Sequence, residues 1–450
     1  MKSKLFFKNL LLGYASITLL FLGFYSNFWQ VADQHWFENH EIGSENHILG
    51  RLVLSRQKGI FSAGGLTGIG NINPTPLSHA DFPYKSQYRA YLNDSTFKSY
   101  TPYFSQVGGQ GMLFSFLDKI ISASPATKIK IFHKITSFLS AFALTLIVLW
   151  FSLEIGLLPA VFVLSSMVFS PWLIVMGRNL WWGLWAFYMP MIGVMFFLRR
   201  NRLSTDSNSS LFGCFIFFLI FIKCLINGYE YITTTWGMMM VPFVYYSITN
   251  KLGLKLVVRK TLSAISCSCF AILLSLTILG AQIVSVKGNP SSAFNEILYS
   301  LRKRTHAKAA EIPLYSRSLN ASTISVIGIY TNGKVFEINN FPRLSNFSIS
   351  PYLFRLKYWH LVSFFIAICC FMLFNTRKFV TQKQRRSDIA LAIGTIFSIL
   401  APLSWYVIFK SHSDAHAHIN FILWQMPFSF FGFAMLGLTV RSIFTDIARR

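Results

Sequence analysis

Blocks of about 20 apolar residues, separated by short basic clusters, run along almost the whole chain, and no other feature limits its fold as strongly. A helix of that length rises about 30 Å, the thickness of a hydrocarbon core, and satisfies its backbone polar groups internally. Spans are expected at 8–28, 133–153, 157–176, 180–198, 210–227, 231–249, 261–285, 357–374, 388–408 and 418–440. Charged residues make up 13% of the chain, about half the share of a soluble domain. Mean hydropathy is +0.47, and the 17% aromatic share suits lipid-facing surfaces and interfacial belts. The first block runs into Asn27-Phe28-Trp29 without a small-residue cleavage site, so it is expected to stay as an anchor.

Orientation follows from where the basic residues fall. With the N-terminus inside, the inner segments are 1–8, 154–156, 199–209, 250–260, 375–387 and 441–450. These short stretches hold 18 of the 41 Lys and Arg but only three of the 16 acids, as the positive-inside rule requires. The fold class expected is an all-α polytopic membrane protein of about ten transmembrane helices, N-in and C-in, with two large exoplasmic loops. Residues 1–285 form an N-terminal membrane module that includes the outer loop 29–132, and 286–356 form the second outer loop. Residues 357–450 supply the C-terminal membrane helices. The alternation Ser322–Tyr330, followed by Asn332-Gly333, predicts a strand and hairpin, giving the second loop a small α/β element. A net charge of +25 invites a nucleic-acid reading, but no soluble basic domain exists to present it, so no nucleic-acid partner is expected. All six cysteines fall within expected spans, which leaves no disulfide framework in the loops.

Chemistry must then use the outer loops and the outer helix ends. Residues 44–59 predict an amphipathic helix in the membrane interface, with Ser44 as N-cap, Glu45 in the first turn and Gly59 as the stop. Glu45 suits either the helix dipole or a role as general base toward a hydroxyl. Asp33, Glu38 and Glu41 are rival acids. Arg178, after Ser170-Pro171-Trp172, is placed to pair with a phosphate or to anchor the interface beside Trp181 and Trp182. Lys223 and Glu230, seven residues apart, either line an outer polar cavity or snorkel. Arg302 and Arg304 belong to a basic run on the outer side that suits a phosphate or anionic headgroups. The stretch 410–420 gathers His412, Asp414, His416 and His418, candidates for substrate or phosphate contact. A divalent metal is a further candidate there, although the spacing does not fix tetrahedral geometry. Tyr100, Tyr103, Phe104, Gln106 and Gln110 could stack on and hydrogen-bond a sugar.

A basic inner start, one span, and an outer acid opening an amphipathic helix that ends in a small-residue turn resemble the GT-C superfamily of membrane glycosyltransferases. That group includes the protein O-mannosyltransferases and the aminoarabinose transferases of lipid A. There an Asp-Glu pair opens the helix and the leading acid is catalytic; Glu45-Asn46 takes that place here, with Glu for Asp and no second acid. Ser170-Pro171 and Arg178 resemble the outer turn between the family's third and fourth spans. The resemblance covers about the first 200 residues in pattern. It implies sugar transfer from a polyprenyl-phosphate donor to a lipid or glycan acceptor at the outer face, with membrane lipids as surroundings. It implies a bacterial inner membrane, with the active site facing the periplasm. The alternatives are a polysaccharide polymerase or ligase, a transporter or flippase of lipid-linked saccharides, and a structural assembly subunit. A transporter would carry charge through the midplane and repeat symmetry, and neither is visible.

Overall fold

The computed structural model describes residues 2–72, 85–201, 209–336, 350–353, 355–374 and 382–447. Helix α1 (Lys2–Ser26) leads through a π-helical turn (Trp36–Glu41) into α2 (Ile42–Lys58). Next come β1 (Gly68–Asn71), α3 (Ser86–Leu92), β2 (Ser99–Pro102) and α4 (Gly109–Ile120). The main bundle follows: α5 (Pro125–Glu154), α6 (Leu157–Val168), α7 (Pro171–Gly177), α8 (Leu184–Asn201), α9 (Ser209–Asn227), α10 (Ile232–Thr249) and α11 (Leu254–Lys287). A second run of short helices holds α12 (Pro290–Arg302), α13 (Ser316–Asn320), α14 (Thr323–Asn332) and α15 (Ser350–Leu353). The order ends with α16 (Tyr358–Phe374), α17 (Gln382–Ser398), α18 (Leu400–Ile408), α19 (Lys410–Ala415) and α20 (Phe428–Ile447).

Several helix starts are written in the sequence. Ser124, Ser170 and Asn289 each accept from a backbone N–H three residues on, and each is followed by proline at the first helical position. The side chain satisfies an orphan donor where the proline ring has none to offer. At Ser170 this restart bends the chain, so the expected span 157–176 is two helices meeting at 68°.

Among the described residues, four stretches are long and apolar enough to cross a membrane: Phe6–Ser26, Pro125–Glu154, Leu254–Lys287 and Gln384–Ile408. The bent pair α6–α7 passes the same test as one unit. In α11 only 28% of the apolar window is buried, against 61% in α5. Leu262, Phe270 and Leu273 therefore point away from the bundle, a surface that suits hydrocarbon and not water. These long apolar helices mark an integral membrane protein. α1 packs on α5, α9 on α11, α10 on α8 and α17, and α6 on α20.

Three expectations need correction. Residues 322–332 are a helix and not a strand. Ser322 caps it by accepting from Ser325 N at 3.0 Å, and Val326 and Tyr330, one turn apart, are its buried pair. Capping and the four-residue spacing outweigh the β-branched alternation. The last helix begins at Phe428, because Asn420–Gln425 form a 3-10 segment. Finally, α2 starts at Ile42, so Ser44 lies inside the first turn and its hydroxyl donates to Glu41 O at 2.9 Å. The expected stop at Gly59 is present, with φ 89°.

α2 is the spine of the segment between α1 and α5. It packs on α3, α4 and β1, and β1 pairs antiparallel with β2. Gly50 is obligatory there, since a Cβ would meet Gly68 O at 2.2 Å. The neighbouring Arg51 is fully buried and has carbonyl partners in place of a carboxylate. Its guanidinium donates to Gly59 O (2.9 Å), Ile60 O (2.8 Å) and Ser62 O, and so folds the chain after α2 around one cation. Arg51→Met should cost about 3 kcal/mol or more, because those carbonyls lose their donor inside the protein. Thermal unfolding of the purified variant in detergent checks this, and an unchanged midpoint would contradict it.

Candidate functional site

At one end of the bundle, segments far apart in sequence enclose a cavity of about 760 Å³. The π-helical turn and the start of α2 supply one wall. The α7–α8 connection, the α9–α10 turn, the stretch after α12 and the α19 region supply the others. These are the stretches whose charge pattern assigned them to a common side. They meet physically: the rings of His40 and His418 lie 5.4 Å apart, centroid to centroid.

Of the candidate acids, Glu41 lines this cavity and Glu45 does not. Glu45 is 1% exposed; its Oε1 accepts from Leu180 N at 2.8 Å, and its carboxylate faces His133 Nε2 at 3.0 and 3.1 Å. It lines a separate cavity of about 240 Å³ together with Glu41, His133 and Arg178. Asp33 lines neither cavity and accepts from His35 N at 3.0 Å, holding the turn after α1. Glu41, one helical turn earlier, is thus the acid of this pair that reaches the large cavity, while Glu45 faces α5. The two carboxylates, four residues apart, share a face of the helix, and contact with His133 of α5 holds Glu45 on the inner side of it.

Arg178, expected either to pair with a phosphate or to anchor the interface, is engaged by protein groups. It donates to Glu41 through Nε (2.8 Å) and Nη2 (2.6 Å), and to Tyr25 O through Nη1 (2.9 Å). The clamp occupies the face of the guanidinium that a phosphate would need. Burial, with Glu45 nearby, raises the Glu41 carboxyl above its usual range even against Arg178.

Lys223 is buried away from the large cavity. Its Nζ donates to Gly228 O (2.8 Å) and Glu230 O (2.5 Å), so it stitches the turn between α9 and α10. That turn delivers Glu230 into the cavity. Arg304 Nη2 lies 3.2 Å from Glu230 Oε1 and donates to Tyr103 Oη at 2.8 Å. Arg302 is half-exposed and paired with Glu311 at the end of α12, outside the cavity lining. Lys303 lines the cavity in its place, with Nζ over the rings of Tyr299 and Tyr315. His416 and His418 are both present in the lining.

Sequence reasoning passed over Lys303 and His133. The alternation of side chains along the end of a helix decides between Arg302 and Lys303, and three consecutive cations hide it. His133 had a visible signal, an ionisable group at the very start of an expected span. His47 also lines the cavity, in ring contact with Tyr103 (4.8 Å) and Trp181 (5.0 Å).

Among the described residues, the donor atoms that lie within 4.8 Å of one another as a metal would need are those of Glu41, Glu45 and His133. Arg178, Leu180 N and His133 already meet those carboxylates. The row His412, His416 and His418 does not form such a group, although the rings of His412 and His416 approach to 4.5 Å.

No family model, curated protein or solved structure matches this chain.

Burial pushes five of the cavity histidines down: His40 and His416 below the ordinary value, His47 and His418 to about 4, and His412 to about 3. Their folded values lie below the ordinary 6.5, so the unfolded chain takes up protons first. Their stabilising contribution is full above about pH 6.5 and is lost as pH falls toward about 4. Thermal midpoints in detergent should drop between about pH 7 and pH 5, and His47→Gln should flatten part of the drop. A pH-independent midpoint would contradict this reading.

Proposed function

We propose that this protein is a membrane glycosyltransferase of the GT-C kind, moving a sugar from a polyprenyl-phosphate donor to a lipid or glycan acceptor. In this reading about ten helices span the membrane with both termini inside. The cavity then faces the exoplasmic side, the periplasm of a bacterial inner membrane. One observation carries the proposal. A single cavity at one end of an apolar bundle joins two carboxylates, Glu41 and Glu230, to the cations Lys303 and Arg304 and to a wall of Trp and Tyr rings. Cations suit the phosphate, aromatic faces suit a sugar ring, and a carboxylate suits a hydroxyl proton.

The acceptor oxygen attacks the anomeric carbon as the bond from that carbon to the phosphate oxygen breaks. The bonding pair leaves with the polyprenyl phosphate, whose charge Lys303 and Arg304 stabilise in a partly desolvated site. The acceptor proton passes to Glu41, whose oxygens keep lone pairs beyond those that meet Arg178. No nucleotide-binding domain is needed.

Purified protein supplied with synthetic polyprenyl-phosphate sugars tests the proposal. Glu41→Gln should lower turnover by about 10²–10⁴-fold, the usual scale of general-base loss. Glu45→Gln should lower the unfolding temperature, through the loss of its His133 contact, and keep turnover. A Glu41→Gln enzyme of full activity would remove the base assignment. The polymerase or ligase reading leans on outer-loop arginines, and Arg304 in the cavity favours it over transport. It expects Arg304→Ala to abolish turnover while Glu41→Gln is tolerated. Cysteine labelling from either side gives the orientation: positions introduced at 40 and 418 should react together, from outside.

A further inference from the structure

The corner of the cavity formed by Glu230 and His412 contains acceptors without donors. Glu230 Oε1 faces Arg304, but Oε2 is buried with no hydrogen-bond partner. His412 Nε2 lies 3.5 Å from that Oε2, and His412 Nδ1 is also buried and unpartnered. The His412 side chain is 8% exposed and lines the cavity, as does Glu230. Buried polar atoms are rarely left in this state unless something outside the chain completes them.

The chemistry of the missing partner can be narrowed. Burial drives His412 to about 3 and keeps its ring neutral. Burial raises the Glu230 carboxyl, but its electrostatic surroundings, the His412 ring and the Arg304 guanidinium foremost, outweigh it and leave it below the usual range. With Nε2–H turned toward the carboxylate, the ring leaves a lone pair at Nδ1. Two acceptors call for two donors on the ligand. An ammonium would supply donors, but Arg304 and Lys303 already exceed the single carboxylate in charge. Neutral hydroxyls on a ligand that also carries an anion satisfy both conditions.

We propose that the Glu230–His412 corner is a hydroxyl-reading subsite for the sugar of a glycosyl phosphate. The sugar hydroxyls donate to Glu230 Oε2 and His412 Nδ1, while Lys303 and Arg304 hold the phosphate. The aromatic group of His47, Tyr103 and Trp181 lines the same cavity and offers ring faces to the sugar. Reaching the two acceptors takes a torsional adjustment of their side chains, as is common on binding. The proposal takes its ligand class from the transferase reading, but its test does not need turnover.

The full-length protein in detergent is titrated with inorganic phosphate and with the 1-phosphates of glucose, galactose and mannose. At least one hexose 1-phosphate should bind about tenfold tighter than phosphate, because its hydroxyls meet acceptors otherwise unpaired. Glu230→Gln and His412→Leu should each cut that preference to about threefold or less and leave phosphate affinity within a similar factor. Lys303→Ala should weaken both ligands together. His412→Leu removes no charge, so it keeps the test valid if Glu230→Gln fails to fold. A preference unchanged in His412→Leu overturns the subsite, as does the lack of any preference in the unaltered protein. Tighter binding of glucosamine 1-phosphate than of glucose 1-phosphate overturns the charge argument and the subsite with it. Sugar preference without transfer from lipid donors would sink the transferase reading alone. Transfer with the preference intact in both variants would sink the subsite alone.

Discussion

One guanidinium, clamped across one carboxylate, ties together the elements on which the cavity depends. Arg178 sits where α7 ends, Glu41 where the π-helical turn meets α2, and Tyr25 O near the end of α1. Glu45 extends the tie to α5 through His133 and to the α7–α8 connection through Leu180 N. Four elements thus share a pair of desolvated charges. Removing one member leaves the other uncompensated, at a cost of about 3–5 kcal/mol, more than most single contacts can offset. The arrangement is therefore an all-or-nothing brace, and the wall that carries Glu41 is positioned by it.

Across the cavity the pattern recurs with a difference. Glu230 also has an arginine, but Arg304 meets one of its oxygens and then turns to Tyr103. One carboxylate meets its arginine through both oxygens and is held to the fold by that clamp. The other is half-satisfied, and its second oxygen is left buried and unpaired at the cavity wall. Equal chemistry gains unequal roles through how many donors surround it.

Much of the architecture was legible because hydrocarbon imposes a length and a polarity that a sequence cannot disguise. The apolar blocks at α1, α5 and α11 lie where helices lie, and the Ser-Pro at 170–171 marks a helix restart. The grouping of Glu41, Glu230, Arg304, His416 and His418 was also readable, since charge placement put their segments on one side. The choice between neighbours was not. Glu41 and Glu45 share a helix face, and only tertiary contact, with His133 and Leu180 N for Glu45 and with Arg178 for Glu41, separates them. Arg302 and Lys303 differ by 100° of helix rotation, a quantity set by packing. The stretch 322–332 shows that a β-branched alternation yields to a capping serine when tertiary contacts reward one helical face.

α11 has a consequence of its own. Its 34 residues rise about 51 Å, some 20 Å more than a hydrocarbon core. Near its far end Gln282 Nε2 donates to Gly64 O (2.8 Å) and Val107 O (3.1 Å), while Leu279 and Ile283 pack among Leu66, Val107 and Ala293. The long helix is thus a mast, and the folded segments after α1 hang from its upper part as rigging does. Their height is fixed by protein geometry and not by the surrounding lipids. A thinner bilayer would leave more of the mast bare, and a thicker one would submerge its rigging; the host membrane's thickness thereby becomes a variable in how far the chamber stands from the lipid surface.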